Sequence, residues 1–364
     1  MDSYSGHAKL PSCACGVEEE EPVSEKLTRR ALDYAGESRT ARNSPVLQPK
    51  MQRWSWKSLQ EPYNLRESAL KKEILSTMKA ISNLANLQRF FATHPLTCDA
   101  PLGAWARFTS WQLRSRLQDE ILFHRIGGSR LAVQRGMTGA TGNIYVGLHE
   151  FADMMLLLHF LREGDLFLDI GANVGSYTVL ASGVCRANTW AFEPDPGTMR
   201  HLKRNIAVNS LDALVKVYEC ALGAEQGEVA FTVGLDTVNR IAAANDKNVR
   251  MIRLERLDTV IAGSQPYMIK VDVEGSEEGV LQGAKALLAD PCLRVVELET
   301  VTLESASILN RNQFERAYYN PFSHSLDRDP INLKSSNSLF VRDWSFVATR
   351  LATAKRVEIL GHRI

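Results

Sequence analysis

The stretch GDLFLDIGANVGSYTVLAS, Gly164 to Ser182, constrains the fold more than any other part of the chain. An apolar, β-rich run is followed by a short loop holding Gly171 and Gly175, and then by a helix-forming segment. Strand, glycine loop and helix in that order open a doubly wound α/β sheet, whose ligands sit at the carboxyl ends of the strands. The alternation continues. TWAFE precedes a helix over Pro196 to Asn209, LVKVYEC and GEVAFTV follow, YMIKVD precedes a helix over Ser276 to Leu288, and LRVVELE comes next. Short apolar runs separated by helices predict a mostly parallel sheet covered on both faces. SLFVRD, Ser338 to Asp343, reads as a late strand before a final amphipathic helix.

Upstream, the organisation is different. Residues 1 to 62 are rich in Ser, Glu, Arg and Pro without hydrophobic period, the signature of a disordered tail. Trp54 and Trp56 near its end are candidates to dock on the folded part. From Leu65 to His94 apolar residues recur at three- and four-residue spacing, which predicts a helix stopped by Pro95. A second helical piece spans Ala104 to Leu117, ILFHRI and RLAVQR read as a hairpin joined through GGS, and a helix is expected over 149–162. The chain thus divides into a tail (1–62), a helical extension with a hairpin (63–142) and a main α/β domain (143–364).

Composition excludes several classes. The 364 residues carry 43 basic and 42 acidic side chains, so no basic excess points to nucleic acid. The six cysteines are scattered and complete no zinc set, and they suit a reducing compartment. The most apolar short run, MMLLLHFL, is far below the ~20 residues that span a bilayer, and no signal-peptide pattern opens the chain. A cytoplasmic protein without a membrane span is expected.

The glycine loop narrows the ligand. Its spacing, G-x-x-x-G, matches neither the dinucleotide G-x-G-x-x-G nor the P-loop, and no Lys-Ser or Lys-Thr follows. Asp169 at the strand tip would repel a pyrophosphate but suits a ligand with positive charge and amine donors, such as S-adenosylmethionine. Glu193 closes the second strand and can accept both hydroxyls of a ribose, as acids at that position do in dinucleotide folds.

FLDIGANVGSYTVLAS, AFEPDP, ALG, LDTVI and IKVDVEGSEEGVLQGA together resemble the FkbM-type class I methyltransferases, in the family's order and over about residues 143–343. The resemblance implies a Rossmann-like fold with a doubly wound, mostly parallel, seven-stranded sheet, S-adenosylmethionine as donor, and O-methylation of sugar or natural-product hydroxyls. It implies that Asp169, Gly171, Asn173 and Gly175 surround the methionine portion, Glu193 the ribose, and Ala221 and Leu222 the adenine. Asp272 would face the methyl group and amino end, and Glu150 would line the same site.

A hydroxyl is a poor nucleophile and profits from a base. Asp272, Glu274 and Glu277 follow the fourth strand, with Asp272 and Glu274 alternating as in a strand. Asp272 or Glu274 is expected to orient the acceptor while the other takes its proton; the bland reading is that Glu274 and Glu277 cap the next helix. A divalent metal on these carboxylates is compatible with the spacing but not demanded by it, and none is expected. Among the histidines, His159 within LLLHFL reads as a core residue, His201 as solvated and His149 as the one worth testing. YYNPF lacks the second proline of the amino-methyltransferase motif and follows the wrong strand. The alternatives are N-methylation of a metabolite amine and a non-catalytic cofactor-binding interaction protein. Expected partners are a small-molecule or glycan acceptor and, through the N-terminal helices, a second copy of the chain.

Overall fold

The computed structural model describes residues 82–364 apart from 235–238, 244 and 247. The expected tail, the docking of Trp54 and Trp56 and the first part of the Leu65–His94 helix lie outside the described residues. The chain divides into two compact units, Met1–Thr93 and His94–Ile364. Of the first, residues 82–93 are described and are helical.

The second unit opens with helix α1 (Pro101–Leu117), which has proline in its first turn, where a missing N–H costs nothing. Strands β1 (Ile121–His124) and β2 (Arg130–Val133) form the antiparallel hairpin, with Ile121 opposite Val133. Helices α2 (Thr138–Val146) and α3 (Phe151–Phe160) follow; α3 carries the MMLLLHFL run and is buried along its whole length. An apolar segment too short for a bilayer is here a core helix.

The main sheet is built from β3 (Leu166–Ile170), β4 (Asn188–Phe192), β5 (Val215–Tyr218), β9 (Met268–Val271), β10 (Val295–Leu298), β11 (Glu315–Asn320), β12 (Ser325–Asp327) and β13 (Ser338–Val341). Their spatial order is β12-β11-β13-β10-β9-β3-β4-β5. β5, β4, β3, β9 and β10 pair in parallel, and β13 is antiparallel to both β10 and β11. Seven of these strands form the expected sheet. β11 and the eighth strand, β12, match no predicted run, while GEVAFTV joins a separate sheet; the chain doubles back after Asn320 and adds three residues antiparallel to β11.

Every residue of β9 and β10 is buried, as both faces of the sheet are covered. One face carries Phe167, Met268 and Val295 against α3, α4 (Ser176–Gly183) and α10 (Trp344–Ala352). The other carries Leu168, Ile269, Val296 and Phe340 against the helices that follow β8, β9 and β10. Helix α5 (Pro196–Val208) starts as its sequence says. Pro196 occupies the first turn and the Asp195 side chain accepts from Thr198 N at 2.8 Å.

A small three-stranded sheet joins β6 (Ala221–Leu222), β7 (Gly227–Thr232) and β8 (Val249–Glu255). Helix α6 (Leu257–Val260) leads from it into β9. The helix expected over Ser276 to Leu288 is instead two, α7 (Glu277–Gln282) and α8 (Lys285–Ala289). They break where Gly283 packs on the backbone of Gly223; a Cβ at 283 would lie 2.1 Å from the Gly223 carbonyl oxygen. Helix α9 (Leu303–Arg311) is closed by a capping box between Thr302 and Ser305. No helix among the described residues is long and apolar enough to cross a membrane.

Candidate active site

The chain leaves β3 for β4 and β5 on one side and returns to β9 on the other, so the switch point lies between β3 and β9. A cavity of about 330 Å3 opens there, at the carboxyl ends of the parallel strands. The structure brings Glu150, Asp169, Gly171, Asn173, Glu193, Ala221, Leu222, Asp272 and Glu274 onto its wall, together with His149.

Gly175 is absent from that wall. It stands at the start of α4 with φ +89°, and a Cβ there would lie 2.7 Å from Leu202 Cδ1. Its glycine is needed for packing against Leu202 of α5. Gly171 is needed for close approach. Its φ is +82°, and a Cβ would lie 1.8 Å from the carbonyl oxygen of Asp272. The loop after β3 therefore rests directly on the loop after β9.

Glu193 holds the glycine loop from below. Its Oε2 accepts from Asn173 N at 2.9 Å and its Oε1 from Asp195 N at 2.8 Å. Burial pushes its carboxyl up to about 7, against the pull of those two amides. Each oxygen keeps a lone pair for a further donor. Ala221 and Leu222 on β6 form a buried apolar wall with Phe231, against which the partly buried Ile241 packs.

Asp169 is not a surface acid; it is 1% exposed and accepts from Thr178 Oγ1 at 2.5 Å. Burial raises its carboxyl, while the Lys270 ammonium acts in the opposite direction. Lys270 is a residue the sequence reading missed. Its ammonium is buried, donates to Asp272 Oδ2 at 2.5 Å and lies 4.6 Å from the Tyr177 ring centroid. Burial alone would pull it down, but the carboxylates of Asp272, Glu150 and Asp169 outweigh that and hold it above the ordinary lysine value. Tyr177, also missed, donates its hydroxyl to Glu150 Oε2. A lone lysine inside the apolar run YMIKVD was the available signal, since an unpaired charge is almost never fully buried.

The carboxylates after β9 are arranged differently from the expected strand. β9 ends at Val271, and Glu274 and Gly275 take φ values of +52° and +92°. The turn is fixed by Glu277, whose Oε1 accepts from Val273 N at 3.2 Å and Gly275 N at 3.1 Å. Glu277 thus holds the loop rather than capping α7 or facing the cavity. Burial opposes ionisation of Asp272, but the charge and hydrogen bond of Lys270 prevail and lower its carboxyl. Glu299, one residue past β10, joins the cluster on the cavity wall. Burial and the Asp272 charge push it up to about 8. Burial, Asp272 and Glu277 raise Glu274. Carboxylate oxygens of Asp272, Glu274 and Glu299 all lie within 4.8 Å of one another, a spacing one hard cation also accepts.

Of the histidines, His149 lines the cavity. His159 is in the core, with Nδ1 2.6 Å from the Tyr319 hydroxyl, and burial lowers it to about 3. His201 is half-buried on α5 and His324 lies beside His159, both away from the cavity wall.

Residues 169–319 match the family described as the methyltransferase FkbM domain. Over those residues the chain is similar to an FkbM methyltransferase domain. Its relatives include the hexuronic acid methyltransferase AglP of Haloferax volcanii, 27% identical, the match covering 39% of this chain and 59% of AglP. Methyltransferase 1 of Beauveria bassiana is also 27% identical, over 33% of this chain and 59% of the relative. The chain therefore spans about three fifths of the length of these relatives. Among solved structures, the precorrin-6y C5,15-methyltransferase of Geobacter metallireducens is similar at TM-score 0.32 and 14% identity, covering 58% of this chain and 92% of that one.

S-adenosylmethionine is the cofactor of the FkbM methyltransferase domain, and the residues present fit it. The cavity offers a glycine-floored approach at Gly171, acids at Asp169 and Glu193 for amine and ribose donors, and an apolar slot at Ala221 and Leu222. When bound, it supplies an electrophilic methyl on a sulfonium.

Proposed function

We propose that the protein is an S-adenosylmethionine-dependent O-methyltransferase acting on a hydroxyl of a small molecule, sugar or natural product. The observation that carries this reading is the division of labour among the carboxylates at the ends of β9 and β10. Lys270 keeps Asp272 ionised, which suits it to orient an acceptor hydroxyl by accepting its hydrogen bond. Glu274 and Glu299, both raised, are better matched to removing the hydroxyl proton as the methyl is transferred. On the donor side Glu193 takes the ribose hydroxyls, Ala221 and Leu222 flank the adenine, and Asp169, Gly171, Asn173 and Glu150 surround the methionine portion. Holding acceptor and methyl in line accounts for much of the rate in such a displacement. The relative named for hexuronic acid supports a sugar as the acceptor class.

Transfer of labelled methyl to panels of sugars, polyketides and amines tests the reading. Label recovered as a methyl ether on a hydroxylated acceptor is the expected product. Label found only on amines would overturn it in favour of N-methylation.

A further inference from the structure

A second cavity, of about 190 Å3, lies beside the first. The sheet register explains why they are neighbours. Asp169, Lys270, Glu297 and Leu339 stand opposite one another across β3, β9, β10 and β13, so their side chains leave the same face. Asp169 and Lys270 line the first cavity, Glu297 and Leu339 the second. The first turn of α3 divides the two, with Glu150 and Met154 on one side and Ala152 and Asp153 on the other.

Two polar side chains of this second cavity are left unsatisfied by the protein. Glu297 is 0% exposed, and neither of its carboxyl oxygens has a hydrogen-bond partner; Asn337 Nδ2, also buried on the same wall, has none either. Asp153 shows the contrast, accepting from Ser335 Oγ and from Ser336 N. Burying a polar group unpaired costs roughly 1–3 kcal/mol, so two such groups on one cavity wall point to a guest that pairs with both.

The two groups also define the guest. Burial, reinforced by the Asp153 charge and opposed by Lys270, raises Glu297 above the ordinary carboxyl value, which favours the protonated form that can donate as well as accept. The amide nitrogen of Asn337 offers donors only. An amine or metal cation would leave Asn337 without an acceptor. Hydroxyl groups donate and accept, and serve both residues. The aromatic side chain of Tyr319, on the same face of the sheet as Leu339, adds apolar surface for a ring.

We propose that this cavity binds a hydroxylated ring through Glu297 and Asn337, as the second ring of a multi-ring methyl acceptor. Its role as an acceptor subsite rests on the O-methyltransfer reading; its binding of a hydroxylated ring does not. β10 lies roughly 4.8 Å from β9, so Glu297 stands one strand spacing from Lys270, the partner of Asp272.

Titrating methyl glucoside and, separately, propane-1,3-diamine into the full-length, nitrogen-15-labelled protein tests the site. Methyl glucoside should shift the side-chain amide signal of Asn337, assigned by its loss in Asn337→Asp. Asn337→Asp and Glu297→Leu should each weaken the glucoside by about tenfold, the effect of one lost buried hydrogen bond. Glu297→Gln keeps a donor and an acceptor and should stay within about threefold of the natural protein. Thermal melting establishes that each variant is folded, and Asn337→Asp decides the matter should Glu297→Leu not fold. No shift with methyl glucoside, or a shift with the diamine in its place, overturns the proposal. Because no methyl is transferred in this titration, a failure of the O-methyltransfer reading would leave its result standing.

Discussion

Gly171, Lys270 and Glu193 each do something at the residue scale that their type alone does not disclose. Gly171→Ala must move the Asp272 carbonyl, since the added carbon would sit 1.8 Å from it at φ +82°. It should lower the melting temperature, cost more than about 2 kcal/mol and abolish donor binding in calorimetry. Lys270→Met leaves Asp272 and Asp169 without their buried cation. A loss of about 3–5 kcal/mol in chemical denaturation is expected, because breaking one side of a buried pair strands the other. For Glu193, binding of S-adenosylmethionine should weaken at least tenfold in Glu193→Ala. Its carboxyl titrates near 7, and only the ionised form accepts from both ribose hydroxyls while holding two amides. Donor affinity should therefore fall as pH drops from 8 to 6, and the fall should flatten in Glu193→Gln. An equal slope in both proteins would place the titration elsewhere.

At the scale of elements, short apolar runs were enough to locate β3, β4, β5, β9, β10 and β13; β9 and β10, buried on both faces, are the most strongly apolar, while the edge strand β5 is only partly buried. The hairpin β1–β2 was legible from the glycines between two short runs. What was not legible depends on contacts between distant segments. The Ser276–Leu288 helix carries good helical spacing, yet Gly283 meets Gly223 some sixty residues earlier and the helix breaks there. Similarly, DVEG alternates like a strand, but Glu277 gathers the amides of Val273 and Gly275 and turns it into a loop. In the site, Asp169, Glu193 and Asp272 were readable from their places at strand ends. Glu299 was not, since only the pairing of β10 with β9 sets it beside Asp272. Gly283→Ala tests the helix break. It should destabilise by about 1–3 kcal/mol in thermal unfolding and loosen β6, with a matching loss of donor affinity.

For the whole molecule, every residue of both cavities belongs to the unit His94–Ile364. A chain of residues 94–364 should fold cooperatively and bind S-adenosylmethionine within about threefold of the full chain, as measured by melting and calorimetry, where a factor of ten is about 1.4 kcal/mol. Loss of binding on truncation would show that residues 1–93 take part in the site. The sheet order has a further consequence, for how the protein is made. β13, residues 338–341, sits between β10 and β11 and is antiparallel to both. During synthesis, strands up to β10 can pair as they leave the ribosome, but β11 has no place in the sheet until residue 341 has emerged. Until then β10 presents an open edge and β11, with β12 hanging from it, must wait in solvent. The synthesis of residues 299–341 is thus the interval in which this protein most needs a chaperone.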